Sequence, residues 1–221
     1  MTDRPIIFGA PMIRAIFDGR KTVTRRLVTG HDVIEERDDG TPWPYYTTWS
    51  HGDDGSPWMA CPYGVPGDWL WVRETWRYHS WADVLPRLPW IMYAADGAHR
   101  LCERIPDDWR ERVRAVRVAL SASKNMAIDG VARDRRWRSP RYMPRWASRL
   151  TLDVVSVRVE RLHAITEEDA IREGVRPADA LMAGTYRQAF ADLWDSLNAK
   201  RAPWASDPWV WRIEFRRAVQ P

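Results

Sequence analysis

Cysteine is scarce in this chain of 221 residues: Cys61 and Cys102 stand alone, far apart and outside any CxxC pair. That argues against a disulfide framework and a thiolate metal site as organisers of the fold, and makes a reducing, intracellular compartment the expectation. Long apolar runs are missing as well. Nothing approaches the length of a membrane span. The opening MTDRPIIFGAP lacks the basic-then-apolar layout of a secretory signal, so the expectation is a cytoplasmic protein with no membrane partner. Lysine is the third shortage. Lys21, Lys124 and Lys200 stand against 31 arginines, so a chain that fills its basic positions with arginine has kept an amine at three places. No internal repeat is present.

What the chain has in quantity is tryptophan and arginine. Fifteen tryptophans and a hydrophobic content of 45% can fill a sizeable core. A net charge of +4 and a pI near 9.3 favour an anionic partner. Aromatics set among arginines also compose surfaces that stack bases and hold phosphates.

The densest chemistry lies in GRKTVTRR, Gly19 to Arg26. Pro11, Met12, Ile13, Ala15, Ile16 and Phe17 predict a short amphipathic helix, opened by proline and stopped by Gly19. Thr22 to Val28 then alternates as a strand. Burial can lower the pKa of an amine until it acts as a base, whereas a guanidinium stays charged. A neutral Lys21 beside a threonine hydroxyl is a recognised way to activate a weak nucleophile. A solvated cation followed by ordinary β-formers fits the same residues.

Residues 29 to 64 are rich in Gly, Asp, Pro, Ser and Thr, with Trp43, Tyr45, Tyr46, Trp49 and Trp58 among them, and predict a long aromatic-pinned loop. Pro66-Gly67-Asp68 predicts a turn into a strand at Trp69 to Arg73. Irregular structure is expected from Tyr78 to Arg104. Ile105 to Leu120 reads as a helix, with valine in its last turns leaving a strand open, and Leu150 to Leu162 as a long alternating strand. Thr166 caps a short helix closed by Gly174. Glu173 meets the negative end of that helix's dipole, the sort of local violation a functional residue can leave. Thr185 to Asn198 predicts a further helix and WVWRIEF, Trp209 to Phe215, a closing strand.

Seven arginines lie between Arg133 and Arg149, opposed only by Asp134. Arg136, Arg138, Arg141 and Arg145, with Trp137, Tyr142 and Trp146 between them, form the best candidate nucleic-acid surface, guanidinium for phosphate and ring for base. A solvated basic loop with its aromatics in the core is the alternative.

Together these elements predict an α+β chain built as a small, partly closed barrel. Four pieces carry a resemblance to the ASCH domain, a relative of the PUA fold: Gly19, Lys21 and Arg26 in GRKTVTRR, Pro66-Gly67-Asp68 before a strand, RLTLDVVSVRVERLHAITEEDAIREG, and WVWRIEF. The family's loose signature is GxKxxExR. Thr24 stands here in place of its glutamate, which is similar to the branch of small bacterial ASCH hydrolases that remove an acetyl group from the exocyclic amine of cytidine. The wording around Trp69 to Glu74 and Met143 to Ser148 resembles ASCH proteins of phages and prophages. The resemblance implies one PUA-like domain over residues 1–221, a mixed β-barrel with flanking helices and loop-rich insertions at about 28–64 and 75–145.

By that resemblance Lys21 matches the base, Thr24 the nucleophile and Glu173 the catalytic carboxylate, with Thr22 and Arg26 at the substrate and neither cofactor nor metal. The lysine would take the threonine proton, the alkoxide would attack the acyl carbonyl, and the glutamate would serve the leaving amine. Residues three apart on a strand face opposite ways, so Lys21 can serve Thr24 only from the helix-to-strand corner or across a bulge. Thr22 is the alternative hydroxyl. Three function classes stay open: an amidohydrolase of an acylated cytosine nucleoside, a ribonuclease, and a non-catalytic reader of RNA or modified DNA, with RNA expected over DNA.

Overall fold

The computed structural model describes residues 1–31, 33–47, 57–81, 88–122 and 136–218. In chain order these carry β1 (Asp3–Ile7), α1 (Ala10–Phe17), β2 (Val23–Leu27), β3 (Val33–Glu36), β4 (Pro42–Tyr45), β5 (Trp69–Arg73), β6 (Trp76–Trp81), β7 (Pro89–Tyr93), β8 (His99–Leu101), α2 (Asp107–Ala122), β9 (Thr151–Arg161), α3 (Glu167–Arg172), α4 (Pro177–Ala183), α5 (Tyr186–Asn198) and β10 (Trp209–Arg217). The α+β class is as expected. The barrel is not: the principal sheet runs in the order β1-β5-β9-β10-β2, beside sheets of two and three strands, and none of them closes among the described residues. No helix among them is long and apolar enough to cross a membrane.

Two compact units result, Met1–Arg4, Ala15–Leu70 and Leu152–Pro221 forming one, Pro5–Arg14 and Trp71–Thr151 the other. In the first, β10 pairs antiparallel with both β9 and β2, setting Arg212 opposite Arg25 and Ile213 opposite Thr24. Thr166 caps α3 through Asp169 N–H, and Gly174 closes it with a φ of +90°. The sequence reading missed α4, which proline opens at its first position. A cluster of Leu162, Ile165, Ala170, Val175, Phe190, Trp194 and Val210 makes a core between these helices and β10.

Residues 29–64 are no simple loop, because β3 and β4 pair as a hairpin. Gly40 takes the positive φ of +78° that its turn needs, with its N–H on the Arg37 carbonyl at 2.8 Å. The expected aromatic pinning is present: Trp43 meets Trp211 edge-on at 5.0 Å and donates to the Met59 carbonyl. Trp49 lies outside the described residues.

In the second unit the expectation of irregularity from Tyr78 to Arg104 is overturned. Strands β6, β7 and β8 form an antiparallel sheet, with Trp76 opposite Tyr93 and Tyr78 opposite Ile91. Trp76, Tyr78, Ile91, Tyr93, Cys102, Val113 and Met143 pack as a core of their own. Aromatic residues favour strands by packing over the pleat, and Pro89 is tolerated because it is the first residue of β7. Arg149 ties this core together. Its guanidinium forks onto Glu74 at 2.8 and 2.9 Å, reaches Asp96 at 2.8 Å and lies 4.1 Å above the Tyr93 ring.

Candidate functional site

Lys21 stands at a corner that backbone geometry builds. Gly19 has a φ of +74°, which lets the chain turn out of α1, and the N–H groups of Arg20 and Lys21 both cap the Ala15 carbonyl. Lys21 therefore precedes β2 instead of lying on it, the placement its cooperation with Thr24 requires. Its stem passes the Cα of Gly174, where an added Cβ would lie 2.9 Å from that of Ala15 and 3.1 Å from that of Lys21. Only a residue without a side chain fits between helix end and lysine.

The Lys21 side chain has no exposure at all. Its Nζ donates to the Val23 carbonyl at 2.8 Å, to the Glu173 carbonyl at 2.8 Å and to Glu173 Oε2 at 2.7 Å. Three acceptors for three protons describe an ammonium at rest. Burial, the largest influence, pulls its pKa below the usual lysine value. The charge and hydrogen bond of Glu173 oppose that, and Arg26 and Arg25 add to the lowering. Sequence reasoning paired Lys21 with Glu173 across 152 residues, and the structure brings them into contact.

Thr24 is buried on β2. Its hydroxyl makes no hydrogen bond to Lys21 or Glu173 among the described residues, so the direct contact expected of a base and its nucleophile is absent. Alternation along β2 turns Thr24 and Arg26 to one face and Arg25 to the other. The carbonyl that Lys21 holds belongs to the peptide joining Val23 to Thr24, which leaves the amine beside the threonine backbone. Thr22, the alternative hydroxyl, accepts from Arg172 Nε at 3.2 Å and is thereby engaged. Arg26 sits opposite Trp211 on β10, half-buried, its pKa lowered by burial.

Behind the pair lies a cluster that sequence reasoning missed. Arg25, 4% exposed, donates to Glu160 Oε1 at 2.9 Å and to Glu173 Oε1 at 3.3 Å, and its Nη2 meets Asp169 Oδ2. Arg212, directly across the ladder from Arg25, holds Asp169 at 2.8 and 3.2 Å. Two guanidiniums opposed on neighbouring strands would repel, and Asp169, delivered by the first turn of α3, lies between them. Burial pushes the Asp169 carboxyl up, but the hydrogen bonds and charges of Arg212 and Arg25 prevail and hold it at about 2. Arg212 also reaches Glu214 at 3.4 Å, whose other oxygen meets Arg172. The available signal was in the closing strand, where Arg212 and Glu214 interrupt an apolar run at a spacing of two.

The arginine-rich segment belongs to the other unit, and the structure sorts it. Arg133 and Arg135 lie outside the described residues. Trp146 is no surface ring: it packs against the second core, edge-on to Trp109 at 6.0 Å. Arg145 donates to the Thr151 hydroxyl at 3.3 Å, and Arg138 lies 4.8 Å over Tyr78. Arg136 and Arg141 are exposed, as are Trp137 at 45% and Tyr142 at 71%. Arg77, which sequence reasoning did not select, lies 4.5 Å over the Trp137 ring. Arg73 joins the same strip by donating to the Arg141 carbonyl at 3.3 Å.

Among the described residues no group of three or more His, Cys, Asp or Glu side chains is placed to hold a metal ion. No family model, curated protein or solved structure matches this sequence.

Proposed function

We propose that this protein is a hydrolase of the ASCH type that removes an acyl group from the exocyclic amine of a cytosine nucleoside or a related modified base. The observation that carries the reading is the buried amine of Lys21 held 2.7 Å from the Glu173 carboxylate. A lysine with no exposure, its pKa drawn below the ordinary value by burial, gives up its proton more readily than a solvated lysine does. The substrate class comes from the resemblance of GRKTVTRR and AIREG to the hydrolase branch.

In this reading Lys21 first passes a proton to the Glu173 carboxylate, then swings from a carbonyl to the Thr24 hydroxyl and accepts its proton as the oxygen attacks the acyl carbon. Collapse of the tetrahedral adduct breaks the C–N bond, a proton relayed by the Lys21–Glu173 pair goes to the departing amine, and water hydrolyses the acyl-threonine ester. Acetylated cytidine incubated with wild type should yield cytidine and acetate. Lys21→Arg keeps the charge but cannot accept the proton, so the rate should fall about 10²- to 10⁴-fold. Equal turnover by wild type and Lys21→Arg, or none by wild type on any acylated cytosine nucleoside, would sink the assignment.

A second reading, a binder of single-stranded nucleic acid, is favoured by the exposed rings of Trp137 and Tyr142 beside Arg136 and Arg141. Its mark is an affinity that falls steeply with salt.

A further inference from the structure

Glu173 is shared. Oε2 accepts from Lys21 Nζ at 2.7 Å and Oε1 from Arg25 Nη1 at 3.3 Å, so one carboxylate answers two buried cations on opposite oxygens. Arg25 is itself held by Glu160 and Asp169, and Asp169 by Arg212. We propose that Arg25 is a positioning residue that divides the Glu173 carboxylate with Lys21, and that this division sets how readily the amine releases its proton.

Among the described residues, charges surround the pair on several elements, Asp169 of α3 being already taken by Arg25 and Arg212. From β2 come Arg25 and Arg26, both cations whose fields disfavour a third positive charge at Lys21. From the end of α3 come Glu173, which favours it, and Arg172, which is spent on Thr22 and Glu214. Arg20, on the corner, donates to the Gly174 carbonyl at 3.2 Å. From β9 and β10 come Glu160, Arg212 and Glu214, one turn of contact further out. Arg25 hydrogen-bonds the same carboxylate as the amine, and Arg26 feels the charge of that carboxylate as well. Removing the charge of Arg25 leaves more of Glu173 to Lys21 and deletes a nearby positive field, so both changes hold the proton on the amine more tightly. Removing the charge of Glu160 does the reverse, because Arg25 then presents more uncompensated charge to the pair.

The consequence for catalysis rests on the hydrolase reading, but the ionisation itself can be read without substrate. With three lysines in the chain, protein labelled with ¹⁵N at lysine Nζ gives three amine signals, and Lys21 is assigned by its loss in Lys21→Met. In Arg25→Met the Lys21 titration should move to higher pH by about one unit, the size expected when a like charge at this range is lost. Glu160→Gln, which keeps the shape of a side chain only partly enclosed, should move it to lower pH. Arg25→Lys should restore the wild-type midpoint.

A merely structural Arg25 would broaden signals or lower stability without opposite shifts in the two variants. Coincident Lys21 titrations in wild type, Arg25→Met and Glu160→Gln would overturn the proposal. If Arg25→Met does not fold, the Glu160→Gln and Arg25→Lys arms decide it alone. Shifts of the expected signs in a protein that hydrolyses no acylated nucleoside would uphold this inference and refute the hydrolase reading, so the two fail separately.

Discussion

The two units each bury a charged cluster, and the clusters differ by one kind of cation. In the second unit Arg149 faces Glu74 and Asp96, forked and stacked on Tyr93. A guanidinium so held cannot lose its proton, and its planar donors fix geometry, so the cluster works as a fastening. In the first unit Lys21 stands where another arginine would be the chain's habit, and its amine can change charge. Burial thus confers rigidity in one case and a protonation equilibrium in the other. The carboxylates differ in the same sense. Burial raises the pKa of Glu74 despite Arg149, while two arginines hold Asp169 at about 2.

The strongest way to break this contrast is Arg149→Met. Leaving Glu74 buried at 2% exposure without its partner should cost about 3–5 kcal/mol of stability, measured by denaturant unfolding. A loss within the range of surface substitutions would deprive the cluster of its fastening role.

Next in size is a pH effect with a definite sign. Asp169 has a folded pKa near 2 against 3.8, so its contribution is present above pH 3.8 and is lost as pH falls from there through about 2. That window is worth about 2 kcal/mol. Asp169→Asn should be less stable than wild type at neutral pH, and the gap should shrink across that window. A constant gap from pH 5 to pH 2 would show that the arginines do not hold the acid down. Glu74 acts in the opposite sense, since a raised folded pKa favours the fold at low pH and that advantage disappears as pH rises above 4.5.

The smallest effect concerns the arginine-rich segment. Arg136, Arg138 and Arg141 replaced together should flatten the salt dependence of single-stranded RNA binding by roughly one unit of slope per lost phosphate contact. An unaltered slope would place them with Arg149 as structural cations.

How far the sequence anticipates these clusters depends on where each partner's signal lies. Strands β9 and β10 and helix α5 were legible because alternation and helical spacing persist over nine or more residues. Strands β6 and β7 were not, since the alternation of WRYHSW is broken by an irregularity between Tyr78 and Ser80, and PWIMY is apolar at every position, which hides the alternation of its burial. Lys21 and Glu173 could be paired through chemistry and resemblance. Arg25 and Asp169, 144 residues apart, could not: a charge in a strand ordinarily marks the solvent face, and only the β2–β10 register reveals that Arg25 and Arg212 turn inward together. Trp146 and Trp137 were indistinguishable as letters, and packing alone assigns one to a core and the other to the surface.

Helix α3 spans six residues, too few to persist by hydrogen bonding along its own axis. It is anchored at both ends: Asp169 in its first turn is gripped by Arg25 and Arg212, and Glu173 at its last by Lys21 and Arg25. Fraying from either end would strand a buried carboxylate, so that route is closed. Its amides from Ala170 to Glu173 should therefore exchange with solvent through one shared opening, at a common rate measurable by hydrogen exchange. A short helix acquires in this way the lifetime of the sheet that holds it.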